Sequence, residues 1–314
     1  MKIGLALGSG AARGVAHIGV IKELEDNGLV ADVISGSSIG SVVGAIHSLG
    51  YLDDFEAFLR SLSRTDIIRY MGPSLFKAGG IASAERLMTY FADNYGKHMI
   101  QDMPLPFSAV ATELHYGREV WLRSGDLWSA VRASMSMPGV LTPMYLDDRW
   151  LVDGGLVNPI PISTCRAMGA DFIIGVNING DLLGLASSET EDIAEEIDSD
   201  TASIMNRLGY GIKNIWRSSD SDKDDDEEPD STPSSVSVMM NSINIMQDRV
   251  TRSRLAGEPA DIVLAPRVRD IGLIEFNEVE RGVEEGRMCV QRMLPAIQYA
   301  LDSRGLKHLR LGKT

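Results

Sequence analysis

Five residues, Gly36-Ser37-Ser38-Ile39-Gly40, constrain this chain more than any others. Before them, Val33 and Ile34 read as the end of a short buried strand, and after them residues 39–49 read as a helix. The pattern between is G-x-S-x-G, a sharp strand-to-helix turn that presents its central serine, the elbow of a nucleophile. Such a turn strains the backbone of Ser38, and the residues two positions to either side have to be small for strand and helix to approach. Gly36 and Gly40 meet that demand. Small residues continue up one helical face, Gly40 with Gly44 and Ser41 with Ala45, so the helix can lie close against a sheet. Its first amides carry partial positive charge toward the serine hydroxyl, where a developing anion is favoured.

The residues leading to this turn repeat the arrangement. Residues 2–7 form a strand pattern that runs into Gly8-Ser9-Gly10-Ala11-Ala12-Arg13-Gly14. A helix over 15–27 follows, with Val15, Ile18, Gly19, Ile21 and Leu24 at helical spacing and Gly28 as its stop. A strand over 30–34 then reaches Gly36. Strand, helix, strand, helix in this order argues for a parallel sheet in a three-layer α/β fold.

Three readings of the glycine-rich turn stay open at this point. As a dinucleotide fingerprint it has the spacing G-x-G-x-x-x-G, with Arg13 where the third glycine of G-x-G-x-x-G would stand. That longer spacing resembles short-chain dehydrogenases, yet none of the eight tyrosines has the lysine four residues on that those enzymes use. As an oxyanion hole, the backbone amides of Gly10 and Ala11 at a helix start would point at an ester carbonyl oxygen. The third reading is a plain strand-to-helix turn.

A third motif lies further along. Residues 106–112 and 119–122 read as two strands joined by His115-Tyr116-Gly117-Arg118, and a helix over 127–135 follows. After a Met- and Pro-rich turn at 134–143, Trp150-Leu151-Val152 ends a strand and Asp153-Gly154-Gly155 comes next. A serine hydroxyl is a weak nucleophile at neutral pH and needs a base. The histidines are His17, His47, His98, His115 and His308, and only His308, in a basic C-terminal stretch with no motif around it, follows Asp153. His17, one turn past Arg13, reads as structural. The residues therefore offer a Ser38–Asp153 pair more readily than a triad.

The remaining pattern is mostly helical between 51 and 95, with Phe55, Phe58, Leu59 and Leu62 on one face and Ser83 as the cap of a helix ending at Tyr95. Met71, Leu75 and Phe76 read either as lining for an apolar substrate or as core. Further along come a helix at 162–168, a strand at 172–178, a helix at 238–255, a strand at 262–265 and a helix over 275–301 that Pro295 would kink.

Charge separates one segment from the rest. Of the net charge of −14, the stretch 181–235 carries −12, from 16 acidic and 4 basic residues, so the remainder is near −2. Residues 220–233 have almost no apolar side chains and are expected to be a disordered or mobile loop within a single domain spanning 1–314. Inside the acidic stretch, Ile204, Leu208, Ile212, Ile215 and Trp216 share a helical face beside Arg207, Lys213 and Arg217, the pattern of an interfacial helix or lid, or of a helix on its own core. The acidic balance argues against nucleic acid as a partner. No apolar run approaches the roughly 18 residues of a membrane span and no signal segment opens the chain, so a cytoplasmic protein is expected, with peripheral membrane contact open to it. Cys165 and Cys289 fit no metal spacing and read as reduced thiols.

Taken together, Leu5-Ala6-Leu7-Gly8-Ser9-Gly10-Ala11-Ala12-Arg13-Gly14, Gly36-Ser37-Ser38-Ile39-Gly40 and Asp153-Gly154-Gly155 resemble the patatin-like phospholipases. More narrowly, the chain is similar to bacterial members related to the neuropathy-target-esterase type of lysophospholipase. The motifs match in order and spacing over about residues 1–180, and Ile245-Met246-Gln247-Asp248-Arg249 also resembles the bacterial members. The resemblance implies a three-layer α/β fold of the patatin type with a mostly parallel central sheet, related to that of acyl-carrier-protein transacylases. It further implies a Ser-Asp dyad acting on lipid or lysolipid esters through an acyl-enzyme, without cofactor or metal. Ser38 would be the nucleophile and Asp153 the base. The turn Gly8, Ser9, Gly10, Ala11, Ala12, Arg13 would supply the oxyanion hole, and Gly36, Gly40, Gly154 and Gly155 the space around the dyad. Ser9 stands where the family's turn commonly has glycine. Two other functions use the same scaffold: an acyltransferase resolving the same acyl-enzyme with an alcohol or thiol, and a non-catalytic adaptor binding through the acidic segment.

Overall fold

The structure, a computed structural model, describes residues 1–71, 80–181, 235–272, 275–276, 278–305 and 311. The chain divides into two compact units, 1–184 with 246–314, and 185–245. Leu75, Phe76, the apolar stripe at 204–216 and the acidic run at 220–233 lie outside the described residues.

In chain order the elements are β1 (Ile3–Leu7), a 3-10 turn (Ala11–Val15), α1 (Ala16–Asp26), β2 (Val33–Ser37), α2 (Ile39–Ser48), α3 (Leu52–Ser61), α4 (Arg64–Met71), β3 (Gly80–Ala82) and α5 (Glu85–Tyr95). Next come β4 (Phe107–Glu113), β5 (Glu119–Leu122), α6 (Leu127–Ser134), β6 (Gly139–Leu141), β7 (Met144–Leu146), β8 (Arg149–Asp153) and α7 (Ile162–Ala167). The chain closes with β9 (Phe172–Val176), α8 (Ser235–Gly257), β10 (Ile262–Leu264) and α9 (Val279–Ser303).

β1 is buried along its whole length, as its uninterrupted run Ile-Gly-Leu-Ala-Leu demands of a central parallel strand. It pairs in parallel with β2 on one side and β9 on the other. β4 extends the parallel sheet beyond β2, and β10 beyond β9. Three antiparallel strands finish it: β5 and β8 on β4, and β7 on β8. Successive side chains point to opposite faces. Leu5, Leu7, Ile34 and Ile174 meet Ile18 and Ile21 of α1, Val42 and Ile46 of α2, and Val283 and Val290 of α9. Ala6, Val33 and Ile173 meet Ile162 and Cys165 of α7 on the other face. The sheet thus lies between two helical layers.

Several boundaries differ from the sequence reading. β2 begins at Val33 rather than residue 30, because Val30 is exposed and Asp32 turns the chain in, its carboxylate accepting from the Ile3 amide at 2.7 Å. The helix expected from residue 15 opens as a 3-10 turn and becomes α-helical at Ala16. Ser83 stands one residue before the N-cap of α5, and its hydroxyl accepts from the Glu85 amide at 3.5 Å. Ala84 occupies that position with a φ of 52° and no side-chain bond, held there because it is fully buried against Ala82 and Leu141. Short strands β3, β6 and β7 were not legible in the pattern; three residues are too few to show a period. Pro295 lies inside α9, which continues to Ser303.

Candidate active site

β4 brings the site together. β5 pairs with residues 109–112 of β4, so it occupies one edge, and β2, which pairs with 107–110, must occupy the other. β8 pairs with 111–113, positions where β5 already fills its edge, so β8 continues the edge that β2 leaves. The two strands arrive from opposite directions and end beside each other, Ser37 opposite Val110 and Asp153 opposite Ala111. One residue past Ser37 stands Ser38.

Ser38 has φ 55° and ψ −124°, a backbone conformation that a residue with a side chain adopts only under constraint. The constraint is visible. Its N–H donates to Ser134 Oγ at 3.0 Å, Ser134 Oγ donates onward to the Val110 carbonyl at 2.6 Å, and the Ser38 carbonyl accepts from both the amide and the hydroxyl of Ser41 at 2.8 and 2.6 Å. A Cβ on Gly40 would stand 2.2 Å from the Leu7 carbonyl oxygen, and one on Gly36 would stand 2.3 Å from that of Gly40. Only glycine lets α2 descend onto the end of β1.

Ser38 Oγ donates to Asp153 Oδ2 at 2.5 Å, and both residues are buried. The other carboxylate oxygen accepts the Gly155 amide at 2.7 Å, while the Asp153 backbone is held by Ser136 and Thr112 at 2.9 and 2.8 Å. Burial raises the Asp153 pKa to about 6, opposed by the hydrogen bonds from Ser38 and Gly155. Among the described residues no histidine contacts the Ser38 hydroxyl. His17 instead holds the Gly8 carbonyl, with Nε2 at 2.8 Å, and burial lowers its pKa to about 4, so it is a neutral donor.

The glycine-rich turn sits between β1 and α1 and presses on the elbow: a Cβ on Gly14 would meet Ile39 at 2.3 Å. Six residues of this turn were expected to form an oxyanion hole, and their amides divide into two groups. Those of Gly8 and Ser9 donate to Val176 and Pro159 at 3.1 and 2.9 Å and are committed to the scaffold. Gly10 caps the 3-10 turn, and the amides of Ala11 and Ala12 open it, where no intrahelical carbonyl reaches them. The Arg13 guanidinium is buried, which lowers its pKa to about 10 against the attraction of Asp181.

Ser9 uses its hydroxyl as well. It lies 3.2 Å from Gln247 Oε1 on α8, which also accepts from Asn179 Nδ2 at 3.1 Å. Ser134, Ser136, Thr112 and Gln247 are the supporting residues that motif reading did not assign. Single polar residues carry no spacing signal; the serines hide in the Met- and Pro-rich turn, and Gln247, although inside the 245–249 stretch that resembles the bacterial members, lies 94 positions beyond Asp153.

A strained serine on an elbow, a buried aspartate within hydrogen-bond reach and a glycine turn pressed against the elbow are groups from which an acyl-transfer site can be built. The model of the patatin-like phospholipase family matches residues 5–166, and the chain belongs to that family. It is 33% identical to an uncharacterized NTE family protein of Mycobacterium bovis, over 96% of this chain and 93% of that one. It is 28% identical to the lysophospholipase NTE1 of Pyricularia oryzae, over 90% of this chain and 18% of that far longer one. Among solved structures, VipD from Legionella pneumophila aligns with 12% identity and a TM-score of 0.39, over 96% of this chain and 79% of that one.

Proposed function

We propose that this protein hydrolyses carboxylic esters of lipids, with lysophospholipids as the substrate class, through a Ser38–Asp153 dyad. The observation that carries the proposal is the hydrogen bond from Ser38 Oγ to the buried Asp153 carboxylate. In this scheme Ser38 Oγ attacks the ester carbonyl carbon and passes its proton to Asp153. The carbonyl oxygen becomes an oxyanion, met by the amides of Gly10, Ala11 and Ala12. The C–O bond to the alcohol breaks, and the departing alkoxide takes the proton from Asp153. Asp153 then deprotonates a water, whose oxygen attacks the acyl-serine carbonyl; as the bond to Ser38 Oγ breaks, Asp153 returns the proton to that oxygen, and the fatty acid and free Ser38 are released. An ordinary aspartate is a feeble base at neutral pH; burial brings this one to about 6, closer to the working range. The name of the fungal relative, a lysophospholipase, supports the choice of substrate class.

Hydrolysis of a short p-nitrophenyl ester and of a lysophospholipid by wild type, Ser38→Ala and Asp153→Asn tests the scheme. Folded mutants should lose about 10³-fold or more in kcat. Mutants that keep wild-type rates sink the dyad. A wild type that cleaves neither ester shifts the reading to acyl transfer, tested with alcohol and thiol acceptors.

A further inference from the structure

Gly155 marks a point of convergence. A Cβ built there would meet Gln247 Nε2 at 2.6 Å, Ser9 Oγ at 2.9 Å and Asp153 Oδ1 at 3.0 Å. Three polar groups from three separate parts of the chain therefore crowd one side of the residue whose amide holds the Asp153 carboxylate. Gln247 is the group that joins them. Its Oε1 faces two donors, Ser9 Oγ and Asn179 Nδ2, which fixes the amide so that its NH₂ end lies on the side of Gly155. The side chain is buried, so this orientation is not shared with solvent.

We infer that Gln247 is a positioning residue of the dyad: bonded to Ser9 of the glycine-rich turn and packed against Gly155, it holds that turn and the Asp153-Gly154-Gly155 turn at one separation. This rests on the dyad reading above. It also assigns a role to the serine that replaces the usual glycine, because the Ser9 hydroxyl is what connects the turn to α8. The turn that presents Gly10, Ala11 and Ala12 and the turn that presents the base then keep one fixed separation.

Among the described residues, no charged side chain is bonded to the Asp153 carboxylate. Arg13 of the 3-10 turn is set against Asp181, and His17 of α1 is bonded to the Gly8 carbonyl. Arg132 of α6 is bonded to Ser83, Ser136 and Thr142, and Asp248 of α8 to Arg252. Burial, Ser38 and Gly155 are the influences that set Asp153, and none of them is a charged side chain.

Two variants separate positioning from mere packing. Gln247→Glu is nearly isosteric and still accepts from Ser9 and Asn179, yet it places a negative charge beside Asp153. Gln247→Leu removes the tie. The readout is the pH dependence of Ser38 labelling by a fluorophosphonate, with the label located by mass spectrometry, alongside ester hydrolysis. Gln247→Glu should move the acid limb of labelling up by about half a pH unit or more. Gln247→Leu should lower kcat about tenfold or more with KM within about twofold. A folded Gln247→Glu protein with an unmoved acid limb overturns the inference, whatever Gln247→Leu does. A wild type that takes no label at Ser38 overturns the dyad itself, and the inference with it; labelled wild type with an unchanged Gln247→Glu profile overturns the inference alone.

Discussion

At the scale of single residues, Asp153 sets the terms. Its folded pKa of about 6 lies above the ordinary 3.8, because burial penalises the carboxylate. In the proposed dyad only the ionised form accepts the Ser38 proton, so kcat/KM should fall as pH drops through about 6, and a pH–rate profile on a soluble ester reads that limb directly. Stability runs the other way. Between about 4 and 6 the folded protein holds a proton that the unfolded chain has released, so stability falls as pH rises through this window and stays lower above it. The gap amounts to about 3 kcal/mol at neutral pH. Asp153→Asn removes the buried charge while keeping an acceptor for Gly155 and a donor toward Ser38. It should therefore be inactive yet more stable than wild type at pH 7 by up to about that amount, as chemical denaturation would show; a variant less stable at pH 7 than wild type contradicts the burial argument.

At the scale of elements, backbone proximity matters more than side-chain volume. α1 and α9 cross with their main chains almost touching: a Cβ on Gly19 would stand 1.8 Å from the Val283 carbonyl oxygen, and one on Gly286 would stand 2.1 Å from that of Ala16. Alanine at either position cannot be relieved by rotating a side chain, so the helices must separate. Gly19→Ala should cost about 1–3 kcal/mol, visible as a lower thermal midpoint. An unchanged midpoint would contradict the close approach of the two main chains. Since α1 follows directly from the glycine-rich turn, the same variant should also slow ester hydrolysis. The site depends equally on the junction of β2 and β8 along one edge of β4, and on the end of α6 and the loop after it, where Ser134 bonds to Ser38 and the Ser136 carbonyl accepts from Asp153.

At the scale of the whole molecule, charge is concentrated in one stretch of the chain. Ser38, Asp153, the glycine-rich turn and Gln247 all belong to the unit formed by 1–184 and 246–314, while most of the net charge is written into 181–235. Removing 218–235 should leave hydrolysis of short soluble esters unchanged, and a folded deletion protein that loses this activity would show that the segment contributes to the site. No helix among the described residues is long and apolar enough to cross a membrane. Local sequence determined a good deal of this protein. The apolar runs of β1 and β9 specify buried parallel strands, G-x-S-x-G specifies an elbow at Ser38, and both follow from short-range sterics and period that a few neighbouring residues suffice to express. The pairing of Ser38 with Asp153 was suggested by order and resemblance, but its geometry was not. Tertiary structure decided which edge of β4 receives β8, which amides of the glycine turn are already spent on Val176 and Pro159, and that Gln247 reaches Ser9 across 238 positions. Hydrogen bonds between such distant residues depend on the relative placement of whole elements, and that placement comes from packing the entire core, which no local pattern encodes.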